Sequence, residues 1–282
     1  MEIWIIFTFL YAIFTGFFQC SKKKAIEKNS IYEVLAYFSL ISFLLTAFTS
    51  KNVFNIELQY LLIVLLKSSV IVVSWLLGFY VISKMSISLY SVINLSRIIF
   101  SIMLSWFILG EKITLTTLIG MIIVIIGLFL VNKNSNKNEE KEASLKLIIL
   151  LLISCLLNSI SAIIDKYATT YITSSQLQFW FTLFLAAIYW MILLVKNKKI
   201  NIKNARSNYW ILIAALCLTI GDRFLFEANG MEGSKVSVMT ILKQISTIET
   251  IILGKIIFKE KNIIKKLLCS LLIILGIIIT LI

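Results

Sequence analysis

The chain is a succession of apolar segments, each long enough as a helix to cross the hydrocarbon core of a bilayer, which takes about 20 residues for about 30 Å. They lie at about 3–20, 31–49, 58–82, 86–109 and 114–131, then at about 146–165, 175–195, 208–230, 235–258 and 263–282. In lipid every backbone N–H and C=O must be satisfied by the chain itself, which leaves only helices and closed barrels as spanning structures. Barrel strands run to about ten residues with alternating polarity, whereas these segments are longer and do not alternate. With 60% of its 282 residues hydrophobic and a mean hydropathy of +0.97, the chain has no stretch left for a separate soluble domain. The first segment lacks a basic leader and a small-residue cleavage site, so it reads as a retained helix and not a signal peptide. The expectation is an all-α integral membrane protein of ten transmembrane helices.

A net charge of +13 would suggest nucleic acid in a soluble protein, but here the basic residues sit mainly between the apolar segments. Basic loop residues in a membrane protein record orientation, because Lys and Arg stay on the cytoplasmic side. The loops after helices 1, 3, 5, 7 and 9 carry Lys22, Lys23, Lys24, Lys28, Lys84 and the basic residues within 133–146, 196–206 and 255–266. The opposite face carries Lys51, Lys112, Lys166 and Lys235. This bias places the protein in the cell membrane as a multi-pass protein with both termini outside, in contact with lipid and with no nucleic-acid partner. Nothing in the sequence fixes an oligomeric state.

The most polar connector, NKNSNKNEEKEAS at 132–144, divides five segments from five, giving repeats at 1–131 and 145–282. Sliding one half over the other by 149 residues brings Glu111-Lys112 onto Glu260-Lys261, Gly127 onto Gly276, Ser101 onto Thr250 and Ser88 onto Ser237. In the first helices a slide of 143 brings Lys23 onto Lys166. An odd number of crossings per half turns the second copy upside down, and inverted repeats are a construction of secondary transporters, with substrate bound near the midplane where the repeats meet.

These residues resemble the EamA family of the drug/metabolite transporter superfamily. The carriers of the resemblance are Gly16 and Lys23 in TGFFQCSKKK, the Gly-Glu pair in LSWFILGEKIT and the Gly in IIGLFLV, with SAIIDKY, KVSVM and IIFKEKN in the second half. The resemblance covers essentially the whole chain and implies two inverted five-helix repeats that move small metabolites, often outward, by alternating access. Members commonly have Pro in the fourth and ninth helices. This chain has no Pro, so a bend there must come from Ser, Thr or Gly.

Ionisable groups inside the apolar segments mark the candidate site, since each costs about 2.5–3.5 kcal/mol at a helix centre and is ordinarily paired or turned to a wet cavity. They are Lys67, Arg97, Asp222, Arg223, Glu227, Lys243 and Glu249. Arg223 and Glu227 are four apart and share a helix face, so they can pair within the helix and leave Asp222 to find a partner elsewhere. Cations outnumber carboxylates by one in this set, and a substrate carboxylate or phosphate would suit the surplus. Helix 4 carries a polar stripe of Tyr90, Asn94, Arg97, Ser101 and Ser105; helix 9 carries Thr240, Lys243, Thr247, Thr250 and Gly254, with Gln244 beside Lys243. Helix 3 adds Lys67, Ser74 and Gly78 with Trp75 alongside, a ring that could stack on a ligand. For Ser101, Ser105, Thr250 and Gly254, close helix packing is the better reading. Glu111, Lys112, Glu260 and Lys261 read as solvated helix ends that could also gate the loops.

The expected substrate contacts are therefore Tyr90, Asn94, Arg97, Lys67, Trp75, Asp222, Lys243 and Gln244, with Asp222, Arg223, Glu227 and Glu249 as proton-coupling or gating groups. The expected function is a secondary transporter that exports a small polar or amphipathic metabolite, such as an amino acid or related compound. A lipid-headgroup flippase and a non-transporting scaffold or receptor are the alternatives. An intramembrane enzyme is disfavoured: there is no His, no HExxH and no GxSxG, and Cys20, Cys155, Cys217 and Cys269 lack metal-like spacing. No cofactor or metal is expected.

Overall fold

A computed structural model describes residues 3–109, 115–133, 144–196, 207–234, 239, 242–260 and 263–281. Every regular element among them is an α-helix: α1 Ile3–Lys28, α2 Ile31–Thr49, α3 Leu58–Ile82, α4 Ile87–Asn94, α5 Arg97–Leu109, α6 Leu115–Lys133, α7 Leu145–Tyr171, α8 Ser174–Val195, α9 Tyr209–Gly230, α10 Ile245–Phe258 and α11 Ile263–Leu281. Among the described residues, six spans are long and apolar enough to cross a membrane: α1, α2, α3, residues Ile87–Ile108 across α4 and α5, α7 and α8. Most of the 132–144 connector, Glu111, Lys112, Thr240, Lys261 and the side chain of Ser105 lie outside the described residues.

The perimeter is apolar and the interior holds the polar groups. Phe9, Phe17, Leu62, Leu66, Phe107, Ile122, Leu271 and Leu275 face outward, while Lys67, Ser74, Ser154, Gln178 and Thr182 are buried. In water this distribution would be costly on both counts; with hydrocarbon as the outer solvent it is the stable one.

The two halves pack reciprocally. The first helix of the first half, α1, lies against α9, the third of the second half, and α3 lies against α7 in the mirror-image pairing. Likewise α2 packs on α8 and α6 on α11. Local structure repeats too. Ser30 and Glu33 form a capping box at the start of α2, and Thr173 and Gln176 form one at the start of α8. The 143-residue slide that relates Lys23 to Lys166 also relates these two boxes. Each box satisfies two backbone N–H groups that the first helical turn leaves without an intrahelical acceptor.

The fourth segment of the first half is not one continuous helix, as 86–109 implied, but is interrupted at Leu95 and Ser96 between α4 and α5. There the backbone switches to three-residue bonds, Leu95 N to Val92 O at 3.1 Å and Ile98 N to Leu95 O at 3.0 Å. In the second half Gln244 makes the same kind of interruption before α10, with Thr247 N bonded to Gln244 O at 2.9 Å. Leu95 and Gln244 are 149 residues apart, the spacing of the repeat. The bend thus occurs without Pro, through tightened turns.

The N-terminal basic cluster is placed differently from the sequence reading. Lys22, Lys23, Lys24 and Lys28 belong to α1, not to a loop, because the helix continues past its apolar stretch to Lys28. Lys22 is buried.

Candidate functional site

A cavity of about 130 Å³ opens between helices of both halves. Of the expected substrate contacts, Tyr90, Asn94, Arg97, Lys67 and Trp75 line it from the first half, and Asp222 and Lys243 from the second. Gln244 is buried next to Lys243 but is not part of the wall. The interruption at Leu95–Ser96 lies between Asn94 and Arg97, so the end of α4 and the start of α5 both present polar groups to the same space.

Two wall residues were absent from the list of membrane-embedded charges. Asp165 of α7 receives Lys67 Nζ at 2.6 Å in a nearly fully buried ion pair. The Lys67 ammonium also lies 3.6 Å from the centre of the Phe181 ring and 4.3 Å from that of Phe226. This arrangement compensates the cost of burying a charge with a counter-ion and with ring faces. By sequence Asp165-Lys166, opposite in the repeat to Lys22-Lys23, reads as a gate pair or simply a helix terminus; α7 in fact continues to Tyr171.

The second is Lys22, whose Nζ donates to Tyr90 Oη at 3.1 Å and lies 4.7, 5.2 and 5.7 Å from the ring centres of Tyr90, Phe79 and Phe18. The signal for it was in the sequence: Tyr11, Thr15, Phe18 and Lys22 recur at steps of four, three and four, and all line the cavity from one face of α1. Counting Lys22 into a loop hid that spacing.

The wall therefore carries Lys22, Lys67, Arg97 and Lys243 against Asp165 and Asp222. Asp222 makes no ion pair or hydrogen bond among the described residues.

Not every embedded charge reaches the cavity. Arg223 Nε and Glu227 Oε1 pair within α9 at 3.1 Å, about one-third exposed, and Arg223 Nη2 donates to Ser175 Oγ at 2.7 Å. Glu249 lies against Gly16 of α1, so closely that a Cβ there would overlap its carboxylate. The hydroxyl stripes serve packing: Ser101 Oγ donates to Ser159 Oγ at 3.2 Å, and Ser74 Oγ to Ser154 O at 2.9 Å, both across helix interfaces. Gly78 admits Tyr90 Oη and Ser154 Oγ, which would stand 3.2 and 3.3 Å from any Cβ there.

One end of the bundle is latched. Beyond α10, Glu260 accepts the backbone N–H groups of Ile87 at 2.7 Å and Ser88 at 3.1 Å, together with the Ser88 hydroxyl. These are the first residues of α4, where a carboxylate is favoured by the unpaired N–H groups and the helix dipole. Lys23 Nζ stands 3.6 Å from this carboxylate and Lys266 Nζ 4.0 Å, and Lys23 also donates to Met85 O at 2.9 Å. The latch joins α1, α4, the residues after α10, and α11. Lys166, the repeat partner of Lys23, donates to Asn229 O and Ser234 Oγ, each at 2.9 Å. Asn208, at the start of α9, bonds Ala25 O near Lys23, whereas Asn229 is at the far end of the same helix. Lys23 and Lys166 thus occupy opposite ends of the bundle.

Comparison with known proteins agrees with this architecture. A solved structure titled "Crystal structure of protein" superposes with a TM-score of 0.70 at 10% identity, over 98% of this chain and 95% of that one, a likeness of fold alone. No curated protein matches the chain. The model of the EamA-like transporter family matches twice, over residues 2–133 and 145–282. The protein is accordingly a multi-pass membrane protein, and the chain belongs to the EamA-like transporter family, a family of transporters and not of enzymes.

Proposed function

We propose that the protein is a secondary transporter that exports a small polar or amphipathic metabolite across the cell membrane by alternating access. In this reading ten helices form two inverted five-helix repeats joined by the 132–144 connector, with both termini outside. The observation that carries it is the cavity between the halves, to which Arg97 belongs from one side and Lys243 and Asp222 from the other. A scaffold would close its embedded charges into dry pairs; here a set of them faces open space. The opposite placement of Lys23 and Lys166 supports inversion of the repeats, and the Glu260 latch supports a state closed at one end.

Substrate contacts fall to Arg97, Lys243, Asp222, Asn94, Tyr90 and Trp75, with Asp222 a candidate to exchange a proton during the cycle. Lys67 is committed to Asp165 and holds the cavity in shape. The test is transport by expression-matched Arg97→Ala, Lys243→Ala and Asp222→Asn variants, alongside labelling of single cysteines in α5 and α10 from each side of the membrane. Loss of transport in all three, with reactivity that alternates between sides, is expected. Transport at the parental rate by all three would remove the site assignment, and uniform protection of the cysteines would remove alternating access.

A further inference from the structure

Resting on the transporter reading, we propose that the cargo is a small organic anion, a carboxylate or phosphate monoester on an apolar body, whose acidic group is received by Lys22 together with Arg97.

Three observations lead there. Of the four basic side chains that the described residues place in the wall, Lys67 is taken up by Asp165, leaving Lys22, Arg97 and Lys243 against the carboxylate of Asp222. Gathering like charges in a space of low dielectric is unfavourable, and an anionic occupant reverses its sign.

Lys22 is the most exacting of the three. It is 4% exposed, and among the described residues its only oxygen acceptor is the Tyr90 hydroxyl. An ammonium has three N–H donors. Three aromatic faces offset part of the burial cost but accept no directed hydrogen bond of carboxylate strength. At the related position in the other half stands Asp165, whose charge already has a partner in Lys67. Among the described residues the Lys22 amine has no such partner.

The remaining surface sets the body of the ligand. Phe18, Trp75, Phe79 and Phe181 line the same cavity, whose volume of about 130 Å³ suits a compact apolar group. Lys22 precedes Lys23 of the Glu260 latch, so an acid on Lys22 sits toward the latched end of the bundle.

The experiment uses the full chain in detergent and four probes with one ring and different heads: phenylacetate, phenyl phosphate, phenylacetamide and phenethylamine. Binding is read from tryptophan fluorescence and from the shift in unfolding temperature. The two anions are expected to bind at least about tenfold more tightly than the amide and the amine, with Lys22→Gln removing that preference and Lys22→Arg keeping it. Equal or better binding of the amide or amine overturns the inference, as does an unchanged preference in Lys22→Gln or no binding by any probe. Should Lys22→Gln not fold, the ranking of the four probes on the parent protein decides alone. Short-chain phosphatidate separates a soluble anion from a lipid headgroup, and tighter binding of it than of both soluble anions overturns the soluble cargo. Two-sided cysteine labelling reports separately on alternating access, so failure of the anion reading leaves the transporter reading standing.

Discussion

Lys22-Lys23 near the end of α1 and Asp165-Lys166 in α7 occupy related positions in the two halves, yet the chain equips them differently. In the second half the inward residue is a carboxylate closed into a 2.6 Å pair with Lys67. In the first it is an ammonium surrounded by three rings and one hydroxyl. The outward lysines are more alike: Lys23 reaches Met85 O and Lys166 reaches Ser234, positions 149 residues apart. The repeat thus keeps the groups that tie helix ends together and varies the group that faces the cavity. One side is structural, because its charge is neutralised within the protein; the other keeps its charge available.

That contrast can be broken most directly at its ion pair. Asp165→Ala strands the buried Lys67 ammonium and is expected to lower the unfolding free energy by about 3–5 kcal/mol, whereas Lys67→Met combined with Asp165→Leu recovers most of the loss. Lys22→Met is expected to cost no more than about 2 kcal/mol, since it gives up one hydroxyl contact and ring faces. Denaturant unfolding of the three variants checks this, and equal losses for Asp165→Ala and Lys22→Met would erase the distinction between the two positions.

Next in size is the latch. Glu260→Gln keeps the shape but weakens charge-assisted hydrogen bonds to α4 and the approach of Lys23 and Lys266, with an expected loss of about 1.5–3 kcal/mol. Gln19 lines the cavity, so in a protein otherwise free of cysteine Gln19→Cys reports access to its wall, and its labelling from the latched end should speed up severalfold in the Glu260→Gln background. Unchanged labelling would mean that this carboxylate secures a helix start and nothing more.

The smallest effect is expected at Arg223→Ala. Its pair with Glu227 lies within one helix and is about one-third exposed, and its bond to Ser175 Oγ is only partly buried, so the loss should be no more than about 1 kcal/mol, with transport unaltered. A transport defect there would move the boundary of the site beyond the cavity described.

Much of the fold could be read from residue order. The apolar segments and the 149-residue match followed from composition and spacing, and the stripe at Tyr90, Asn94 and Arg97 does face the cavity. The pairing of Arg223 with Glu227 also followed, because four residues bring two side chains to one face of a helix. Lys22 was missed because a run of lysines looks like a loop when apolar length alone sets the helix end, although its helical phase with Tyr11 and Phe18 was present. The partner of Asp165 was beyond reach for another reason: it stands on a different helix, and no local pattern connects the two.

By itself the sequence determined the solvent of this protein, the helical character of its segments and the face on which each polar residue falls, since hydrophobicity and a 3.6-residue period are local properties. Tertiary structure decided which of those faces meet, and with that which charges cancel and which remain. Lys67 and Asp165 pair because α3 packs on α7, and among the described residues Lys22 stays without a carboxylate because α1 turns it toward Tyr90, Phe79 and the cavity. Such outcomes depend on rotations and contacts between distant helices, which packing sets across the bundle.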